Sequence, residues 1–114
     1  MQSLVTKLGK HFFYLVEAFM YYRVTRYNFD PAKYDDLMAY ADSIKPKLRS
    51  IPGLNFGHEV RTGEDSGMVI AQYASAEAAE AAQSLVSEIL SEFGRYMTSA
   101  PQIHAGPVIW STDD

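Results

Sequence analysis

Between Met20 and Trp110 the apolar residues switch between a strand period and a helix period in the order β-α-β-β-α-β, and few folds accept that order. The stretch MYYRVTRYNF (20–29) is aromatic and β-branched, which suits a strand. Asp30-Pro31 follows, pairing an N-cap with a first-turn proline. Tyr34, Leu37, Met38, Ala41, Ile44 and Leu48 then fall on one face, which predicts an amphipathic helix over 31–50, its last turn loosened by Pro46. Pro52-Gly53 closes that segment. LNFGHEVRT (54–62) and MVIAQYA (68–74) form a hairpin about GEDSG (63–67). Ser75 caps a second helix whose stripe is Ala79, Ala82, Val86, Ile89, Phe93 and Met97, predicting one continuous helix over 76–98. Pro101 ends it, and QIHAGPVIW (102–110) reads as a last strand, placed at an edge by Pro107.

This order defines an α+β chain of ferredoxin-like topology: one antiparallel sheet in the order 4-1-3-2 with two helices on one face. The other face stays bare. With the Tyr, Phe and Val side chains it carries, it needs a cover, either the N-terminal segment or a second copy of the chain. Residues 1–19 lie outside the pattern. Leu4, Leu8, Phe12, Leu15 and Phe19 recur at helical intervals and predict a helical packing extension to a domain spanning 20–114. Its apolar core FFYLV is short and followed by Glu17, which fits neither a signal peptide nor a membrane span.

Composition narrows the function classes. The 114 residues contain no cysteine, which removes thiolate metal sites and thiol nucleophiles. Ten Lys and Arg stand against fourteen Asp and Glu, scattered, so no basic face for nucleic acid is expected. The cysteine-free, anchor-free chain is compatible with the cytoplasm, where we expect it. No Gly-rich phosphate loop, nucleophile elbow or H-E-x-x-H motif occurs. Asp35-Asp36 and Asp113-Asp114 are neighbours in sequence and read as solvated charge rather than paired catalytic acids.

The strand entering FDPAKYDDLMAYADSIKPKL, the junction RSIPGL, the strand-to-helix run GMVIAQYASAEAAEAA and the late strand HAGPVIW together resemble the dimeric α+β barrel superfamily. That group contains antibiotic-biosynthesis-type monooxygenases, haem-degrading monooxygenases and stress-responsive barrel proteins. The resemblance covers residues 20–112. It implies a homodimer whose sheets face each other, with ligands of the enzymatic members lying between a protomer's sheet and helices. Haem-degrading relatives carry an axial histidine on the second helix, and residues 76–98 contain none. No cofactor and no metal are therefore expected.

Four residues stand out as catalytic candidates: Asn28, His58, Tyr73 and His104. Alternation puts Phe56, His58 and Val60 on one strand face, and Tyr22, Arg26 and Asn28 opposite Arg23, Thr25 and Tyr27. His58 and His104 stand on opposite edge strands, and the resemblance lets them meet only across a subunit seam. Either each hydrogen-bonds backbone or water, or one serves as proton acceptor. Tyr73 and Asn28 are the orienting donors, and Trp110 is expected as a seam anchor. The leading expectation is a small-molecule-binding dimer, a cofactor-independent monooxygenase of a small aromatic or apolar substrate. The alternative is a non-catalytic barrel module for assembly or stress-related interaction, its cleft plugged by Tyr34, Met38, Phe93 and Met97.

Overall fold

A computed structural model describes residues 20–113, so the expected 1–19 helix lies outside the described residues. Strands β1 (Tyr21–Asn28), β2 (Leu54–Arg61), β3 (Ser66–Tyr73) and β4 (Gln102–Pro107) form one antiparallel sheet in the order β2-β3-β1-β4, the order expected from the sequence. Helix α1 is Tyr34–Arg49; α2 (Ala76–Ala81) and α3 (Gln83–Phe93) follow β3. Among the described residues no helix is long and apolar enough to cross a membrane.

Local chemistry accounts for the junctions. Asp30 Oδ1 accepts from the Ala32 N–H at 3.0 Å, but the cap opens a 3-10 turn over Pro31–Lys33 before α1 begins. Pro46 sits inside α1 and withholds one helical donor. The helix continues past it and then tightens, with Ser50 N–H bonding Lys47 O and Ile51 N–H bonding Leu48 O. Pro52-Gly53 makes the turn into β2: Leu54 N–H bonds Ile51 O, and Gly53 has φ +81°. Ser75 Oγ accepts from the Ala78 N–H and starts α2.

Two expectations are corrected. The single helix over 76–98 is interrupted at Ala82 (φ −83°, ψ −8°) and ends as a 3-10 turn over Gly94–Tyr96. Neither Pro nor Gly forces the break. It falls where the chain passes from Ala79 and Ala82 in one packing cluster to Ile89 and Phe93 in the other, with Leu85 against both. The other correction is that β2 does not alternate throughout. A bulge between Leu54 and Phe56 sends Leu54 to the helix side and Phe56 to the bare side, where its ring meets Tyr22 edge-on at 6.3 Å.

The two clusters lie at opposite ends of the helix-facing side. One gathers Tyr27, Phe29, Leu37, Ile44, Ile89 and Phe93. The other gathers Ile51, Tyr73, Ala79 and Ala82. Each large side chain so buried contributes roughly 1.5–3 kcal/mol. Tyr27 reaches its place by lying across β3 over Gly67, where a Cβ would stand 2.5 Å from the phenol oxygen and 2.6 Å from Cζ. Gly67→Ala is therefore expected to push the Tyr27 ring away and to cost about 1–3 kcal/mol in urea unfolding. Gly57→Ala, on the same sheet with nothing within 4 Å of the added carbon, is expected to change stability by less than about 0.5 kcal/mol.

Candidate functional site

Between the two clusters the sheet carries small side chains. Thr25, Gly57, Val69 and Ala71 form a low floor, and helices resting on large residues at both ends cannot close onto it. The result is a cleft of about 570 Å³, within the range of small-molecule sites. Ala41, Ile44 and Leu48 of α1 wall one side and Val86, Ile89 and Leu90 of α3 the other. Of the four residues expected to plug the cleft, only Phe93 touches it. Tyr34, Met38 and Met97 pack against the first cluster instead.

On the sheet side of the cleft two charged groups stand among the apolar residues, and Asp42, Lys45 and Arg49 of α1 add charge at its rim. Arg23, only 7% exposed, donates to Tyr73 Oη at 2.6 Å and to Gln83 Oε1 at 3.0 Å. Its guanidinium carbon lies 5.1 Å from the Tyr73 ring centroid. Four residues along β1, about 14 Å at the strand rise, Tyr27 donates its hydroxyl to Glu59 Oε1. Burial, then the hydrogen bond and charge of Glu59, pushes the Tyr27 hydroxyl far above the ordinary phenol range, so it remains a donor. The Glu59 residue is exposed along its edge strand, yet its carboxyl is desolvated. That desolvation raises its pKa above the ordinary glutamate value, and the Tyr27 hydrogen bond only partly offsets it. One end of the cleft thus holds a cation with a hydroxyl, and the other a carboxyl suited to accept a proton.

The four residues singled out in the sequence are not brought together. Tyr73 lies on the helix side, fully buried, and lines the cleft. Asn28 lies on the bare face at the end of β1, where its amide donates to Asp65 O at 3.4 Å. His58 stacks on Phe56 at 4.6 Å between ring centroids, on the bare face, and also borders the cleft rim at the β2 edge. His104 is exposed on the bare face of β4. The pairings His58–Ile70, Ile70–Val24 and Val24–His104 put both histidines in one row across the sheet, roughly 14 Å apart at the strand spacing.

Arg23 and Glu59 line the cleft without being among the four candidates from the sequence. The signal for Arg23 was a charge on the same strand face as Thr25 and Tyr27, the face that the helices then cover. Among the described residues no group of three His, Asp or Glu could hold a metal ion.

The sheet order, the helices and the cleft between them define an α+β ferredoxin-like protein with the fold of the antibiotic-biosynthesis-monooxygenase-like proteins. A candidate antibiotic biosynthesis monooxygenase from Caulobacter crescentus superposes with a TM-score of 0.67 at 23% identity, over 83% of this chain and 94% of that one. SnoaB, a cofactor-independent oxygenase from Streptomyces nogalater, superposes with a TM-score of 0.67 at 14% identity, over 85% and 100% of the two chains. A candidate antibiotic biosynthesis monooxygenase from Nitrosomonas europaea gives 0.69 at 11% identity, over 83% and 95%. No family model and no curated protein matches the chain.

The raised Glu59 carboxyl fixes the sign of one pH effect. As pH rises from the ordinary value of 4.5 through the raised folded value, the unfolded chain releases this proton before the folded chain does. Glu59 therefore lowers native stability across that window. Glu59→Gln keeps an acceptor for Tyr27 and removes the titration. Urea midpoints measured across the window are expected to fall less with pH in Glu59→Gln than in the wild type. Parallel curves would mean that the carboxyl is not desolvated.

Proposed function

We propose that this protein is a homodimer that binds a small aromatic or apolar molecule in the cleft and oxidises it as a cofactor-independent monooxygenase. The observation that carries the reading is the cleft itself: walled on two sides by helices and mostly apolar, with Arg23 and Glu59 on its sheet side and charged residues of α1 at its rim. Such chemistry takes its electrons from the substrate. A phenol or enol gives up a proton, and the anion reduces O₂. One oxygen atom stays on the reacting carbon as a carbonyl, and the other leaves as water with the hydroxyl proton and the single hydrogen of that carbon. The protein's part is to exclude bulk water, accept the first proton and steady the anion. Glu59 is placed to be that acceptor, and Tyr73 keeps the orienting role expected of it. SnoaB, a cofactor-independent oxygenase of the same fold, supports the same class of reaction.

The bare face supports the dimer. Tyr22, Val24, Phe56, Val60, Met68 and Ile70 share it, and the exposed Trp110 and Ile109 follow β4. Water is a poor cover for such a surface, and a second sheet is a good one. In facing sheets the row that ends in His58 and His104 has its partners on the other copy, with Asn28 at its margin.

Adjacent residues on β3 separate the two parts of the proposal. Ile70→Asp is expected to give monomers in analytical ultracentrifugation. Ala71→Phe, which points the other way, is expected to leave the dimer intact and fill the cleft. Oxygen uptake with a panel of naphthols and quinols, without added cofactor, is expected from the wild type and at least tenfold lower in Ala71→Phe, about 1.4 kcal/mol of barrier. A dimeric wild type that consumes no oxygen with any of them would leave the non-catalytic module as the better reading.

A further inference from the structure

The Arg23 guanidinium is taken out of water without a compensating charge. Its two protein partners, the Tyr73 hydroxyl and the Gln83 amide oxygen, are neutral, and among the described residues no carboxylate pairs with it. Glu59, the acid on the cleft wall beyond it, sits one row along and two strands over on the sheet. That separates their Cα atoms by roughly 12 Å from strand rise and spacing, and Glu59 is already bonded to Tyr27. A buried cation with only neutral partners is unfavourable for the empty fold. Two of the five guanidinium donors have protein partners, which leaves donor capacity towards the cleft that Arg23 lines. Arg23, Lys45 and Arg49 line the cleft against Asp42 and Glu59. The cleft is thus positive on balance in a chain whose net charge is −4. Such a field gathers anions.

We infer that the ligand of this cleft is an acidic aromatic molecule whose anionic oxygen, a carboxylate or the oxygen of an acidic enol, is held by the Arg23 guanidinium beside the Tyr73 hydroxyl. The inference rests on the reading of the cleft as a ligand site and adds the charge of what enters it. The apolar body of the molecule lies over Val69 and Ala71 between the helices. Its far edge approaches Glu59, where a neutral carboxyl or a proton acceptor is tolerated and a second anion is not. Charge-assisted hydrogen bonds in a water-poor site make the anion preferred over a neutral molecule of the same shape.

Two matched pairs of probes test this on the full chain: naphthoate against naphthamide, and a hydroxynaphthoquinone, ionised as its enolate, against its methyl ether. Binding is followed by calorimetry and by the rise in melting temperature. The double variant Arg23→Met with Tyr73→Phe removes the cation and the hydroxyl together, and the Gln83 side chain it frees is exposed and can turn to water. At least one anion is expected to bind roughly tenfold or more tightly than its neutral partner, as a charged hydrogen bond supplies. That preference is expected to vanish in the double variant, and Arg23→Lys, which keeps the charge without the fork, is expected to retain part of it. Without any probe the double variant is expected to melt no lower than the wild type, because the lost group was uncompensated. The pair showing the preference tells a carboxylate site from an enolate site.

Neutral partners binding as tightly as the anions would overturn the inference and leave the cleft a ligand site. A double variant melting well below the wild type would overturn it too, by making Arg23 a strut of the fold. Binding of none of the four probes would remove the ligand-site reading and the inference with it.

Discussion

Two blocks of large side chains hold the helices off the middle of the sheet, and the rest of the molecule follows from that spacing. At one end Tyr27, Phe29 and Phe93 stack in tilted pairs with ring centroids about 6 Å apart. At the other, Tyr73 fills the space beneath Ile51, Ala79 and Ala82. Between them the short side chains Thr25, Val69 and Ala71 line the floor of the cleft. A close-packed interior tolerates few such gaps by chance. This one persists because its floor and its supports lie on the same strands: Thr25 and Tyr27 are two residues apart on β1, Ala71 and Tyr73 two apart on β3. The interruption of the second helix at Ala82 belongs to the same arrangement, since α2 rests on the Tyr73 block while α3 runs from that block, at Leu85 and Val86, to the Tyr27 block at Ile89 and Phe93.

The polar groups obey the same geometry. Tyr27 can lie flat across the sheet only because Gly67 has no side chain, and from there it reaches the Glu59 carboxyl on the next strand. Tyr73, in the other block, turns its hydroxyl to Arg23. One packing block thus brings the Tyr73 phenol to the cleft, and the other uses the Tyr27 phenol to hold Glu59, which lines it. One phenol meets an acid and the other a cation. Their separation is set by the rise of β1 and not by any loop, so the two ends keep their distance when loops move.

The strand order, the caps at Asp30 and Ser75 and the Pro52-Gly53 turn were legible in the sequence because each depends on neighbours in the chain. The two faces of β1 were legible as well: Arg23, Thr25 and Tyr27 opposite Tyr22, Arg26 and Asn28. What alternation could not say was which face the helices would cover, and the cleft lies on the Arg23 side. Histidines drew attention as titratable groups near neutrality, yet the carboxyl with a displaced pKa is Glu59. Its displacement comes from burial in the folded sheet, against the opposing hydrogen bond of Tyr27, thirty-two positions away in sequence. The break at Ala82 was hidden for a similar reason. The apolar stripe through Ala79, Ala82, Val86, Ile89 and Phe93 has unbroken helical spacing, and only the two-block packing beneath it interrupts the helix.

The bulge at the start of β2 ties the bare face to the cleft. It turns Leu54 into the second block and Phe56 outward to Tyr22, so the same edge strand is anchored in the core at one residue and exposed on the open face two residues later. Phe56 and His58 then touch both regions: stacked on each other over the bare face, and bordering the rim of the cleft. In the proposed dimer a second sheet would press on this pair from one side while a ligand entered on the other. Covering the bare face would fix the rim residues that a lone protomer leaves to solvent. A cleft whose mouth is one edge strand has few other ways to hold that mouth in one shape, because β2 is paired on one side only. Dimer formation and ligand binding would then favour each other through Phe56 and His58, and His58 would serve the proposed chemistry by holding the rim of the cleft rather than by entering it.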